Sequence, residues 1–241
     1  MENVTHPKSD AGAVALLSGG VDSAVMTGMS FRGGDTVWPL YLRQGFLWED
    51  DEIRAVGQYL DSLKSANGAN GANGSRHGMG GRLKALATCT LGVAEGYKAR
   101  WATAADEEVP DENSPDEAVF LPGRNLALLT QAAIYAHTVG AGRIQLGTLK
   151  GNPFPDATET FFRSFERTAA EAMNLEVSIE TPLAKLSKTD VLLRGKDFDL
   201  GLTLSCIRPS DGKHCGRCNK CEERRRAFEN AGLSDAAPYL H

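Results

Sequence analysis

Ala13-Val14-Ala15-Leu16-Leu17-Ser18-Gly19-Gly20-Val21-Asp22-Ser23 is the stretch that decides the fold. An apolar run, residues 13–17, ends in a serine and a glycine pair, and residues 24–31 then carry helix-compatible side chains, so the local order is strand, loop, helix. Small residues at such a junction let backbone N–H groups approach a ligand closely, and the helix start adds positive potential; together these suit a phosphate anion. Ser18, Gly19, Gly20 and Ser23 supply that geometry, and Asp22 offers a carboxylate for Mg²⁺. A glycine turn with a Ser or Asp helix cap is the plainer reading of an isolated glycine pair; the whole hexapeptide following an apolar strand favours the phosphate loop. Neither the Gly-Lys-Ser/Thr ending of the hydrolytic P-loop nor the three spaced glycines of a dinucleotide loop occurs here.

Working outward, residues 36–42 read as a second strand. Residues 49–65 read as a crossover helix with Ile53, Val56, Leu60 and Leu63 on one face and acidic residues in its first turn. Residues 83–91 read as a third strand, 125–138 as a helix, 143–147 as a strand, 156–174 as a helix, 176–179 as a strand and 187–194 as a short helix begun by a serine. Strands alternating with helices imply a parallel sheet covered on both faces. Two segments interrupt the rhythm. Residues 65–81 repeat Ala-Asn-Gly and read as a disordered surface insertion. Residues 106–117 hold seven acidic residues and two prolines and read as a solvated loop, with a metal or partner role as the alternative.

The whole chain, 241 residues with 41% hydrophobic and 24% charged residues, can build one main core with a small appendage. No stretch approaches the roughly 18 apolar residues of a membrane helix, and the first residues lack a signal peptide's basic start and apolar centre. A cytoplasmic protein is expected, and the Asn73-Gly74-Ser75 glycosylation match is discounted. A net charge of -5 gives no global attraction to nucleic acid or membranes and favours small-molecule substrates.

Four of the five cysteines cluster as Cys206, Cys215, Cys218 and Cys221. In a reducing compartment this C-x8-C-x2-C-x2-C spacing points to metal, because two-residue gaps let thiolates converge and four sulfurs close a tetrahedral Zn²⁺ shell. An iron–sulfur cluster uses the same ligands and remains the alternative. His214 reads as a neighbour rather than a ligand, and Cys89 as a buried small side chain, with a reactive role as its alternative.

Leu17 to Ser23 resembles the signature of the N-type ATP pyrophosphatases, or PP-loop enzymes, which implies attack by a substrate oxygen on the α-phosphate of ATP with the loop holding the departing pyrophosphate. The segment from Ser205-Cys206 through His214-Cys215-Gly216-Arg217-Cys218 to Cys221, with Glu222, Arg224 and Ala227-Phe228, resembles the zinc segment of the QueC (7-cyano-7-deazaguanine synthase, ExsB) family. Leu121-Pro122-Gly123-Arg124-Asn125, Pro155-Asp156 before Phe161 and Phe162, and Pro182-Leu183 with Lys188 agree with it. The resemblance covers nearly the whole chain apart from the two interrupting segments. It implies an α/β fold, a Rossmann-like doubly wound parallel sheet of the adenine nucleotide alpha hydrolase type over residues 1–200, with a small zinc-binding helical segment over 201–241. It further implies an ATP-dependent ligase, a homodimer, that adenylates 7-carboxy-7-deazaguanine and converts it with ammonia, through the amide and a second activation, to the nitrile. Structural Zn²⁺, Mg²⁺ and the cosubstrate ATP come with that reading. Asp22, Ser23, Arg124 and Lys188 are the candidate catalytic residues, the two cations serving phosphates or carboxylate.

The sequence departs from the family where Gly147 is followed by Thr148-Leu149-Lys150-Gly151-Asn152-Pro153-Phe154-Pro155-Asp156-Ala157-Thr158. The family's Cys and Arg after Pro-Asp are Ala157 and Thr158 here, and Lys150 is the candidate replacement cation. After the second strand, Tyr41-Leu42-Arg43-Gln44-Gly45-Phe46 replaces the family's Tyr-Gly-Gln-Arg stretch. Both changes fall at strand C-terminal ends, where doubly wound sheets bind ligands; Arg43, Lys150, Phe154 and Asp156 are the candidate substrate residues. Two other functions stand beside the leading one: a paralogue that adenylates a different carboxylate or stops at an amide or ligation product, and a non-catalytic regulator whose Arg224, Arg225 and Arg226 touch phosphates. Those arginines otherwise read as salt-bridged surface facing Glu222, Glu223 and Glu229.

Overall fold

A computed structural model describes residues 12–71, 81–97, 99–174 and 176–240. Strand β1 (Ala13–Leu16) leads through the glycine loop into α1 (Val21–Arg32), followed by β2 (Thr36–Arg43) and α2 (Glu49–Gly71). Two short strands, β3 (Arg82–Leu83) and β4 (Ala87–Thr90), precede α3 (Arg124–Val139), β5 (Arg143–Gln145), α4 (Glu159–Met173), β6 (Ser178–Glu180), α5 (Lys188–Arg194) and α6 (Asn219–Asn230). The sheet runs β3-β2-β1-β5-β6, with β4 also on β2, and every pairing is parallel. This is the expected α/β sheet, wound outward in both directions from β1.

Alternation along the central strands feeds two cores. Ala15, Leu17, Val37 and Tyr41 face α1, α2, α5 and α6, whereas Val14, Leu40, Leu42 and Ile144 face α3 and α4. Ala227 and Phe228 of α6 lie in the first of these clusters, so the C-terminal helix packs on the sheet-covering helices.

Three sequence expectations change. The single third strand is divided, and the break lies opposite Pro39: β3 pairs with Thr36 and Val37, β4 with Leu40 to Arg43. The carbonyls of Val37 and Arg43 accept from Lys84 and Leu91 on this edge, while that of Leu40 accepts from Leu17 of β1. Pro39 therefore faces the β3/β4 edge and has no N–H to give it, which interrupts the ladder there. Helix α2 continues to Gly71, six residues past the expected end at Ser65; the rest of the expected insertion, residues 72–80, lies outside the described residues. Finally, Arg224 is not surface. It is 1% exposed, bonded through Nε and Nη2 to Asp235 at 2.7 and 2.8 Å, through Nη1 to the Thr203 hydroxyl at 2.7 Å and through Nη2 to the Leu200 carbonyl at 3.0 Å. That full complement of acceptors is what makes a buried guanidinium tolerable. Arg225 and Arg226 do pair on the surface, both with Glu222, at 2.7 and 2.5 Å.

The acidic segment keeps most of its carboxylates outward, but its backbone is docked. Pro110 and Ser114 carbonyls accept from the backbone and side chain of Asn219 at 3.0 and 2.7 Å, and the Arg208 guanidinium donates to the carbonyls of Ala105 and Glu107.

Candidate active site

At the C-terminal end of β1 the chain turns through Gly19, whose φ of +82° only glycine adopts freely, and whose missing side chain would stand 3.3 Å from Glu52 of α2. Gly20 caps α1 without any side-chain bond, and the first helical N–H to find its acceptor is that of Ala24, at 3.1 Å from the Gly20 carbonyl. The amides of Val21, Asp22 and Ser23 thus precede the helical ladder, the arrangement an anion uses. Ser23 braces the loop: its hydroxyl donates to the Gly20 carbonyl at 3.1 Å and accepts from the Ser18 amide at 3.2 Å. At the end of β5, a Cβ on Gly147 would come within 3.1 Å of the Ser23 nitrogen, so this glycine lets the next strand lie against the helix start.

Asp22 projects from that start. Its Oδ2 accepts from Lys188 Nζ at 2.6 Å, while its Oδ1 is buried with no partner among the described residues. Lys188 is delivered by the first turn of α5, which a reciprocal Ser187–Asp190 capping box begins. The same ammonium lies 3.2 Å from Glu223, which also takes Lys220 at 2.8 Å. Burial pulls the Lys188 ammonium down, but the Asp22 and Glu223 carboxylates outweigh it and hold the group charged, above its ordinary value. Glu223 is in turn held low, to about 2, where burial is outweighed by the two lysines.

Beside the loop opens a cavity of about 280 Å³ lined by the ends of β1, β2 and β5 and the start of α3. Arg124 enters it from the first position of α3, its Nε 3.1 Å from Gln44 and its guanidinium 5.3 Å from the Phe46 ring. Gly123, at φ +72°, makes the turn that begins this helix. Asp156 caps it, accepting from the Asn125 amide at 2.8 Å, so its carboxylate is engaged in holding the Pro-Gly-Arg-Asn turn as well as lining the cavity. Phe154 stacks on Phe120 at 4.7 Å to form an aromatic wall. Arg43 and Lys150 are not brought here: Arg43 bonds Asp50 at 2.7 Å, and Lys150 is exposed near Asp190.

The sequence reading missed Tyr41, Glu52 and Thr148. The Tyr41 hydroxyl donates to Glu52 at 2.6 Å inside the cavity lining, and the Thr148 hydroxyl is buried there without a partner among the described residues. Burial pushes the Glu52 carboxyl up to about 8, against the pull of Tyr41 and Arg124. Only acidic periodicity in the first turn of α2 hinted at it. Between the ordinary carboxyl value of 4.5 and about 8 the folded state holds a proton that the unfolded state has lost. This group therefore lowers stability as pH rises across that window and costs a constant amount above it. Glu52→Gln is expected to gain Tm relative to the parent as pH goes from 5 to 9, read by thermal unfolding; a Tm difference flat with pH contradicts the assignment.

A second centre lies at the C-terminal segment. The sulfurs of Cys206, Cys215, Cys218 and Cys221 all fall within 4.8 Å of one another, with Cys206–Cys218 and Cys215–Cys221 at 3.9 Å. A tetrahedral ion with Zn–S bonds of about 2.3 Å requires sulfurs about 3.8 Å apart, a spacing that these two pairs already show, so the donor set suits zinc. Backbone amides of Arg208 and Cys215 point at Cys206 Sγ at 3.3 and 3.2 Å, favouring thiolate. His214 is buried and stacked on Tyr239 at 4.9 Å, its Nε2 accepting from the Ser205 amide at 3.1 Å, so it stands beside the cluster and is not part of it. Burial, with the Arg224 charge, lowers its imidazole to about 4 and keeps it neutral.

The model of the family described as "Queuosine biosynthesis protein QueC" matches residues 12–232, which takes in both the loop and the cysteine cluster. The chain belongs to the QueC family. Curated QueC relatives named 7-cyano-7-deazaguanine synthase include one from Azoarcus sp., 31% identical over 239 residues that cover 94% of this chain and 96% of that protein. Another, from Methanothrix thermoacetophila, is 31% identical over 236 residues, covering 95% and 99%. Among solved structures, NMN synthetase from Francisella tularensis is similar at 16% identity and a TM-score of 0.47, covering 94% of this chain and 79% of that one, a distant likeness on which nothing functional rests. No helix among the described residues is long and apolar enough to cross a membrane.

Proposed function

We propose that this QueC-family chain is an ATP-dependent 7-cyano-7-deazaguanine synthase, a C–N ligase that takes 7-carboxy-7-deazaguanine, ATP and ammonia. The observation that carries the ATP reading is the open start of α1 with Asp22 beside it: three amides ahead of the helical ladder, a lysine at 2.6 Å and a buried carboxylate oxygen with no partner among the described residues. Asp22 would hold Mg²⁺ through that oxygen, and Mg²⁺ would supply charge neutralisation on the phosphates.

In this reading the substrate carboxylate attacks the α-phosphorus of ATP and pyrophosphate leaves along the α1 amides. Lys188 and Arg124, on either side, offset charge on the phosphates and the carboxylate. Ammonia then adds to the acyl carbon, AMP leaves, and a proton goes to solvent, giving the amide. The amide oxygen then attacks the α-phosphorus of a second ATP and a second pyrophosphate leaves; loss of AMP and of the two amide protons to solvent gives the nitrile. Phe120 and Phe154 would stack on the deazaguanine ring, and Asp156 fixes the turn that presents Arg124. Zinc would be structural, because four thiolates leave no open position.

Gly20 provides a folding-neutral check. Its φ is -72° and a Cβ there would meet only the hydroxyls of Ser18 and Ser205, at 3.7 and 3.9 Å, so alanine fits the fold. That methyl would nonetheless stand at the mouth of the phosphate loop. Gly20→Ala is expected to keep Tm and to lose about tenfold or more in ATP affinity, roughly 1.4 kcal/mol, by calorimetric titration; unchanged affinity contradicts a phosphate at this loop. The proposal as a whole is tested by pyrophosphate release: release that requires added 7-carboxy-7-deazaguanine supports it, and ATP turnover indifferent to any carboxylate overturns it.

A further inference from the structure

Immediately before the first cysteine of the cluster, Ser205 holds a buried hydroxyl with no hydrogen-bond partner among the described residues. Buried hydroxyls almost always have a partner, so an orphan next to an anion-shaped loop calls for one. Its surroundings say where that partner would lie. A Cβ built on Gly20 would lie 3.7 Å from Ser18 Oγ and 3.9 Å from Ser205 Oγ, so both hydroxyls stand against the Gly20 turn of the phosphate loop. Ser18 Oγ is also 3.2 Å from Ser23 Oγ, which completes a rim of three hydroxyls around Gly20.

The position of Ser205 is fixed from both directions. The Leu204 amide donates to the Gly19 carbonyl at 2.8 Å, tying this strand of chain directly to the loop. The Ser205 amide donates to His214 Nε2 at 3.1 Å, and its neighbour Cys206 belongs to the four-sulfur cluster. We infer that Ser205 is a pyrophosphate ligand: its hydroxyl donates to the β/γ-phosphates of ATP and to the departing pyrophosphate, which makes the cysteine-rich segment part of the phosphate site. This rests on the ATP reading above and adds a residue to it. A neutral donor suits the task, since a hydroxyl bonded to a phosphate oxygen gains a charge-assisted hydrogen bond without holding the product as a fixed cation would.

The experiment is calorimetric titration of the full-length, metal-loaded protein with inorganic pyrophosphate and, separately, AMP, for the parent, Ser205→Ala and Ser205→Thr, with metal content measured on each. Ser205→Ala is expected to weaken pyrophosphate about tenfold while leaving AMP affinity and metal content unchanged, and Ser205→Thr to restore most of the loss. Pyrophosphate affinity unchanged in Ser205→Ala overturns the assignment. So does an equal loss for both ligands or a loss of metal, which would make Ser205 a structural residue only. A parent protein that binds neither pyrophosphate nor AMP overturns the underlying ATP reading, and the Ser205 assignment with it.

Discussion

Asp22→Asn is expected to lower turnover by on the order of a thousandfold while metal content and fold persist, the scale on which one preorganised charged group at a phosphoryl site matters. The carboxylate does two things that an amide cannot. Its Oδ1 is buried and unpartnered among the described residues, ready for a cation, and its Oδ2 holds Lys188 at 2.6 Å. Asparagine keeps the shape but removes the charge and leaves one acceptor oxygen where the carboxylate has two, so it cannot serve Lys188 and a divalent ion together. The fold should tolerate the change because Glu223 still holds Lys188 at 3.2 Å. Steady-state pyrophosphate release, with metal analysis of the same sample, reads both halves. Activity within tenfold of the parent would remove Asp22 from the chemistry.

Cys218→Ser carries the largest expected effect on stability. Cys218 is fully buried, its sulfur 3.9 Å from that of Cys206, and it caps α6. Around it hang the docked acidic segment, through Asn219, and the buried Arg224–Asp235 pair six residues further along the helix. Binding free energy at a closed four-thiolate site is folding free energy, so a missing thiolate should cost on the order of 5 kcal/mol, or roughly 10–20 °C in Tm for a chain of this size. Metal analysis and thermal unfolding are the readouts; a variant with full metal content and parental Tm would show that the four sulfurs are not a metal site.

Both residues could be read in the sequence because their chemistry is local. A phosphate loop needs small residues at consecutive positions, and a metal knuckle needs thiols two residues apart, so each function is written in adjacent letters. Glu52 and Tyr41 were not legible, since a glutamate in an acidic helix start looks solvated until the fold lays it on β2 beside the cavity. Arg224 misled for the same reason: three successive arginines look like surface, and only Asp235 and the carbonyls around residues 200–203, which arrive from other parts of the chain, make the first of them internal. Arg43 and Lys150 stand near strand ends as expected, yet Arg43 turns to Asp50 and Lys150 stays exposed beside Asp190. Pro39 was a usable signal, because a missing N–H in a strand paired on both edges has to interrupt one of them.

The most direct measurement is the mass of the product formed from 7-carboxy-7-deazaguanine, ATP and ammonia by the purified, metal-loaded protein. Conversion to the nitrile, with the amide appearing first and both requiring ATP, is the predicted result. A product that stops at the amide, a conjugate with another amine, or unchanged carboxylate beside consumed ATP would contradict it.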